Sequence, residues 1–185
     1  MLDPQYRALL QVADAILAHR DLNALFHDLS RLLRQVVRFD FITLVLYDPE
    51  LNAMRLHILE TDAPLSEAPK RSPMPLDHSP SGLAWAEQRP VVIADVATET
   101  RWPPVLELLR KHGISSGCYI PLTSAQRRLG VIGFGFIEKH LFTCDEISFM
   151  ENAAAPVAVA VDNALNHEQL SRERDRLKAL LDITN

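Results

Sequence analysis

The length, composition and charge of this chain exclude several classes of protein. Its 185 residues are 48% hydrophobic and carry a formal net charge of −5. That is enough apolar sequence for one domain with a sizeable core, and it excludes a disordered chain. The acidic excess repels phosphate, which argues against non-specific binding of nucleic acid.

Cysteine usage and hydropathy predict the compartment. Cys118 and Cys144 are too few for a disulfide framework, so both are expected to be reduced thiols. The most apolar helical run, residues 153–161, is far shorter than the roughly 20 residues that cross a bilayer. The N-terminus lacks the apolar core of a signal peptide. These features predict a cytoplasmic protein with no membrane contact.

The first elements are two amphipathic helices and a hairpin. Apolar residues recur at helical spacing from Tyr6 to Leu17 and again from Leu22 to Val36, with Asp21 placed as the N-cap of the second helix. Residues 41–47 are apolar on both faces apart from a threonine, which indicates a strand covered on both sides. Residues 54–59 alternate and are predicted to pair back as a hairpin.

The middle of the chain is predicted to contain short elements on either side of turns. Residues 61–81 form a long proline-rich loop with one short strand, and Ser79 and Pro80 open a helix. The elements predicted after it are a strand at 91–93, a helix from Pro103 that Gly113 ends, and strands at 116–122 and 129–137.

The last element is a long helix. Thr143 and Glu146 form a capping box at its start, and Pro156 predicts a kink near Asn152. Beyond Val161 the apolar positions thin to a narrow stripe set among charged residues, which is typical of a helix–helix seam. The stripe comprises Leu165, Leu170, Leu177, Leu180 and Leu181.

Several motifs occur in a fixed order along the chain. They are Ser81-Gly82, Pro90-Val91-Val92-Ile93 with Asp95-Val96, Gly113-Ile114 with Ser116, Pro121-Leu122, Leu129-Gly130-Val131 and Phe142. In this order the chain resembles GAF domains over residues 22–165. More narrowly, residues 118–123, 128–130, 134–135 and 173–177 resemble the GAF modules of formate-hydrogenlyase-activator-type regulators, which are sigma-54-dependent bacterial transcription activators.

The resemblance implies an α+β fold of three layers, α/β/α. A central antiparallel sheet of five or six strands carries helices on both faces, and a long C-terminal helix completes the domain. The short helices and the loop over residues 61–81 would cover one face of the sheet and enclose a pocket. Residues 1–165 would be the sensory domain, including the N-terminal helices, and 166–185 a signalling and dimerisation helix leading to a downstream domain. The N- and C-terminal helices would pair two copies of the chain.

The implied function is sensing of a small molecule, such as a small anion, within a transcriptional regulator. Arg101 would suit a carboxylate through bidentate hydrogen bonds, and Trp102 would stack on a ligand. The other candidate ligand-binding residues are His78, Asp95, Cys118, Tyr119, Phe134 and Phe136. Structural alternatives stay open: a solvated cation for Arg101, a turn cap for Asp95, and a buried apolar side chain for Cys118.

Two other functions are weighed against sensing. Phe134, Phe136 and Tyr119 could fill the pocket, leaving a structural dimerisation module without a ligand. A thiol reductase is the third hypothesis, but reductases with this fold place a cysteine near residues 93–95, where this chain has none. No catalytic triad, phosphate loop or metal-ligand set stands out. The sequence therefore predicts no enzyme and no metal, and it identifies no cofactor.

Overall fold

A six-stranded antiparallel sheet organises the chain in the computed structural model, which describes residues 22–35, 37–62 and 72–183, with side chains to residue 181. The strands are β1 (Phe41–Asp48), β2 (Ala53–Thr61), β3 (Met74–Pro75), β4 (Val91–Ile93), β5 (Ser116–Thr123) and β6 (Arg128–Phe136). Their order across the sheet is β3-β2-β1-β6-β5-β4. The helices are α1 (Leu22–Leu33), α2 (Pro80–Glu87), α3 (Pro103–Lys111) and α4 (Cys144–Ile183), with a 3-10 turn at Leu76–His78.

Successive side chains of the central strands point to opposite faces of the sheet and so divide the core into two layers. Ile42, Leu44 and Leu46 of β1 point towards α1 and α4, whereas Val45 points to the opposite face. We call these the helix face and the covered face; α2 and α3 contribute to the apolar cluster on the covered face. Both layers are apolar because a central strand with two buried faces needs apolar side chains on each. The predicted α/β/α architecture is confirmed.

The helix ends follow the predicted capping chemistry. Ser79 Oγ accepts a hydrogen bond from the Gly82 amide at 2.9 Å at the start of α2. Before α4, Thr143 Oγ1 accepts from the Glu146 amide at 3.2 Å, and Glu146 accepts from the Thr143 amide at 2.9 Å. This reciprocal pair is a capping box. Gly113 follows α3 with φ +72°, the left-handed conformation that ends many helices.

Some predicted features differ from the structure or fall outside it. The helix over residues 6–17, its neighbour Asp21 and residues 63–71 of the long loop lie outside the described residues. Helix α1 ends at Leu33 rather than Val36. Helix α4 continues through Pro156 without interruption, and the kink near Asn152 stays a prediction.

Helix α4 has two different halves. Its first half packs small residues against the sheet, including Ala153, Ala154 and Ala158, so that the backbone approaches closely. Its second half extends beyond the core, and Leu170 and Leu177 there are 66% and 61% exposed. The domain therefore presents a long amphipathic rod beyond the sheet.

Candidate functional site

The covered face of the sheet carries the candidate site that the motifs predict. Its cluster of buried residues includes Ile93 of β4, Tyr119 of β5 and Val131 of β6, and Trp102 and Leu106 add buried side chains from the α3 region. The long loop was predicted to enclose a pocket here, and residues 63–71 of that loop are outside the described part of the chain.

Tyr119 forms much of the floor of this face. Tyr119 pairs with Gly133 on β6, which in turn pairs with Thr43 on β1. A Cβ atom built on Gly133 would lie 3.3 Å from the Tyr119 ring, and one built on Gly117 would lie 3.4 Å from it. The ring thus lies over two glycines, and its burial raises the pKa of the phenol. This site is apolar, with a phenol at its centre.

Trp102 and Arg101 lie at the edge of the covered face and have different surroundings. The Trp102 side chain is buried in the cluster, at 4% exposure. The Arg101 guanidinium stacks over the indole at 4.3 Å from the ring centroid. It also donates to both carboxylate oxygens of Glu99, at 3.0 and 2.7 Å. An anionic ligand at Arg101 would therefore have to compete with an existing bidentate ion pair.

Glu99 makes this ion pair sensitive to acid. The Arg101 hydrogen bonds lower the pKa of Glu99 from 4.5 to about 2. Because the folded state holds the ionised form, this stabilisation is complete above pH 4.5 and is lost as the pH falls towards 2. We expect Glu99→Gln to lower the free energy of unfolding by on the order of 1 kcal/mol at neutral pH. The gap should close progressively in acid, as measured by chemical denaturation.

The exposed Glu107 on α3 offers a matched control for this prediction. Glu107→Gln removes the same charge, and we expect a gap of less than about 0.5 kcal/mol from the parent at every pH. A Glu99→Gln gap that stays constant down to about pH 2 would contradict the assignment, since the ion pair would then contribute nothing that protonation removes.

Asp95 and His78 have local partners in the structure. Asp95 Oδ1 accepts from the Ala97 amide at 2.9 Å, which makes it the turn cap that its position after β4 suggested. Its other oxygen pairs with Lys139 Nζ at 2.6 Å, and this contact lowers the pKa of Asp95. The His78 side chain is 65% exposed and lies 3.7 Å from the carboxylate of Asp77. Both residues therefore lie at the surface of the domain.

The remaining three candidates lie on the helix face. Cys118 pairs with Phe134 across β5 and β6, and Phe136 lies two residues further along the same side. Cys118 is fully buried, and desolvation raises the pKa of its thiol to about 12. Phe136 stacks on His140 at 4.4 Å between ring centroids. These side chains pack against the helices that cover this face.

The predicted site residues are thus divided between two faces. Trp102 and Tyr119 share the covered face, whereas Cys118, Phe134 and Phe136 share the helix face. The idea that Phe134, Phe136 and Tyr119 together fill one pocket is wrong, because the sheet separates the two phenylalanines from the tyrosine. Ligand binding by the residues of the covered face stays a prediction.

A contact that the sequence did not reveal ties the sheet to α4. Arg127, in the hairpin between β5 and β6, donates to Asp162 Oδ1 at 2.8 Å and to Asn166 Oδ1 at 2.9 Å. Asp162 is 5% exposed and is the one charged residue in the buried set of the described chain. We call this arrangement the Arg127 clamp. It holds the hairpin against α4 close to the point where the helix leaves the core.

Metal-binding groups and membrane-spanning helices are both absent from the described residues. Among them, no three His, Cys, Asp or Glu side chains lie together in a group that could hold a metal ion. Within the same residues, no helix has the length and apolar content needed to cross a membrane.

Comparison with known families gives a match over most of the chain. A family model described as GAF domain matches residues 19–162. The formate hydrogenlyase transcriptional activator of Salmonella typhimurium is 24% identical over 177 residues, which is 93% of this chain and 25% of that protein. The chain thus spans about a quarter of the length of the curated relatives it matches.

Solved structures share the fold at low identity. The GAF domain of an Acinetobacter phosphoenolpyruvate-protein phosphotransferase matches with a TM-score of 0.72 and 15% identity, covering 91% of this chain and 99% of that one. The free methionine-R-sulfoxide reductase of Neisseria meningitidis, solved with its substrate, matches with a TM-score of 0.69 and 18% identity, covering 90% and 95%. At such identities the likeness concerns the fold alone.

Proposed function

Because this chain belongs to the GAF domain family, we propose that it is the small-molecule-sensing module of a bacterial transcriptional regulator. The observation that carries the proposal is α4, which packs on the sheet with one half and extends beyond it with the other. Residues 1–165 are the sensory unit in this proposal, and 166–185 the signalling helix towards an output domain. The regulator is of the sigma-54-dependent type and acts in the cytoplasm, and this module makes no contact with nucleic acid.

The route from ligand to helix runs through β5 in this proposal. Tyr119 faces the ligand side of the sheet, while its neighbour Cys118 faces the helix side, where α4 packs. A ligand that favours one position of Tyr119 would shift the strand and the helix packed behind it. Its effect is limited to its difference in affinity between the two states.

Ligand screening by thermal unfolding tests the sensing proposal. The panel consists of formate, other small carboxylates, cyclic nucleotides and nitrogen compounds. A ligand at a hundred times its Kd should stabilise the fold by about 2.7 kcal/mol. For an anion at the covered face, Arg101→Gln should reduce the shift. Arg89→Gln, which removes another exposed arginine paired with a glutamate, should not.

Absence of any shift across the panel would favour the structural alternative, a dimerisation module without an effector. The packing of Tyr119 over Gly117 and Gly133 is the observation that favours this second candidate, since the ring already occupies the floor of the face. The reductase hypothesis has less support, because Cys118 is buried on the helix face and Cys144 is exposed at the start of α4.

Homodimer formation is the second part of the proposal, and the seam of α4 supplies its test. Leu170, Leu177 and Leu180 are exposed at the spacing of a heptad seam. We expect the double variant Leu170→Lys, Leu177→Lys to be monomeric at concentrations where the parent is dimeric, as measured by sedimentation. Asp175→Lys lies on the outer side of the same turns and should leave the dimer intact. A parent that sediments as a monomer at all concentrations would refute this part.

A further inference from the structure

We propose a second ligand site, for an organic carboxylate with an apolar body, in a cavity beside the Arg127 clamp. The cavity has a volume of about 520 Å³. Leu46, Leu129 and Leu165 line it from the helix-face core, whereas Tyr119 and Trp102 belong to the covered face. It lies between the β1–β2 hairpin, the β5–β6 hairpin and Leu165 of α4. It is therefore distinct from the effector site of the proposed function.

The charge of the cavity lining favours an anion. Arg55, Arg127 and Arg128 line it with one carboxylate, that of Asp48. Arg55 donates to Asp48 at 3.0 Å and Arg127 is engaged by Asp162, so two of the three positive charges are partly offset. The lining nevertheless carries an excess of cations in a chain whose net charge is −5. A local field of this sign concentrates anions.

An unpaired donor indicates where the anion would bind. The Arg55 Nε–H has no hydrogen-bond partner among the described residues and almost no accessible surface, so the Arg55 side chain must shift for an anion to reach it; Nη2 of the same guanidinium is paired with Asp48. Buried donors in folded proteins are almost always paired. A carboxylate oxygen is the acceptor that a guanidinium edge fits best, because two parallel hydrogen bonds can form.

The rest of the lining is apolar, which sets the second requirement for the ligand. Leu46, Leu129 and Leu165 contribute alkyl surface. An apolar body attached to the carboxylate would cover these groups and displace water from them. A bare inorganic anion would pair with Arg55 but would leave this apolar surface exposed to water. Benzoate combines both features and is the probe we choose.

Titration of the full chain with benzoate, followed by calorimetry and by the NMR signals of arginine Nε–H groups, tests the proposal. We expect saturable binding and a shift of the Arg55 Nε–H signal. Arg55→Gln should raise the Kd about tenfold or more, since it removes a charge-assisted hydrogen bond. Arg89→Gln, which removes an exposed arginine that is paired with Glu87 and does not line this cavity, should leave the Kd unchanged. Benzyl alcohol, which lacks the carboxylate, should bind at least tenfold more weakly.

Several results would overturn the proposal. They are the absence of saturable benzoate binding, equal binding of benzyl alcohol, and a Kd that Arg55→Gln leaves unchanged. Binding that is lost in Arg101→Gln but kept in Arg55→Gln would place benzoate at the covered face, which would support the proposed function while refuting this site. If Arg55→Gln does not fold, the Arg55 Nε–H signal of the unaltered chain decides the question.

Discussion

Replacing Gly130 with alanine is expected to destabilise the domain by about 3 kcal/mol or more. Gly130 pairs with Leu46 where β6 passes beside β1. A Cβ atom at this position would overlap the carbonyl oxygen of Val45 and lie 2.8 Å from Cα of Leu46. Both obstacles are backbone atoms in the central strand, so they cannot be relieved by turning a side chain. Chemical denaturation of the variant measures the loss.

Gly113→Ala is the control that separates crowding from backbone strain. Among the described residues other than its two chain neighbours, no heavy atom lies within 4 Å of a Cβ added at Gly113, but φ is +72°. The only penalty there is the left-handed conformation, about 1–2 kcal/mol for a residue with a side chain. If Gly130→Ala proved no more harmful than Gly113→Ala, the close approach of β1 would not be the reason for glycine at residue 130.

The two cysteines are expected to differ in reactivity by a factor of at least about a thousand. Cys144 is exposed at the first residue of α4, whereas Cys118 is fully buried in the helix-face core. Only the thiolate reacts, and burial raises the pKa of the Cys118 thiol to about 12. Reaction at Cys118 therefore requires the core to open, which a domain of ordinary stability does rarely.

Labelling with N-ethylmaleimide followed by mass spectrometry of peptides measures both rates in one sample. The variant Cys144→Ser provides the background for slow reaction at Cys118, and labelling in denaturant shows that both thiols react when unfolded. Modification of native Cys118 at a rate near that of Cys144 would contradict the structure. It would also support the thiol reductase hypothesis, because an accessible Cys118 could act as a nucleophile.

Local signals in the sequence were sufficient to predict most of the fold. The caps at Ser79, Gly113 and Thr143 were predicted because each depends on a few neighbouring residues. The two-sided burial of β1 was predicted because residues 41–47 are apolar apart from Thr43. The predicted end of α1 lies three residues too late, because Val36 continues the apolar spacing beyond the actual end at Leu33.

The candidate site was harder to predict, although one signal was available. Cys118 and Tyr119 are adjacent in a strand, so their side chains must point to opposite faces. That rule alone excludes a single pocket containing both. The pairing of Cys118 with Phe134 depends on the register between β5 and β6, which an irregularity at Leu122/Thr123 displaces. Apolar alternation does not reveal such an irregularity.

The two ion pairs illustrate the limit of sequence reasoning. Glu99 and Arg101 are two residues apart, and their pairing could have been proposed from the loop sequence. Arg127 and Asp162 are 35 residues apart, and their contact depends on how α4 crosses the β5–β6 hairpin. That geometry results from packing of the whole helix face, so no local pattern specifies it.

Because α4 extends far beyond the Arg127 clamp, a small movement at the clamp produces a larger displacement at the end of the helix. At about 1.5 Å per residue, the segment from Leu165 to Ile183 is roughly 27 Å long. A tilt of α4 by about 5° at the Arg127 clamp would displace its far end by roughly 2 Å. This is comparable to the helix displacements that separate signalling states in other proteins. The domain can thus convert a sub-ångström rearrangement at its hairpin into a displacement that a neighbouring protein surface would register.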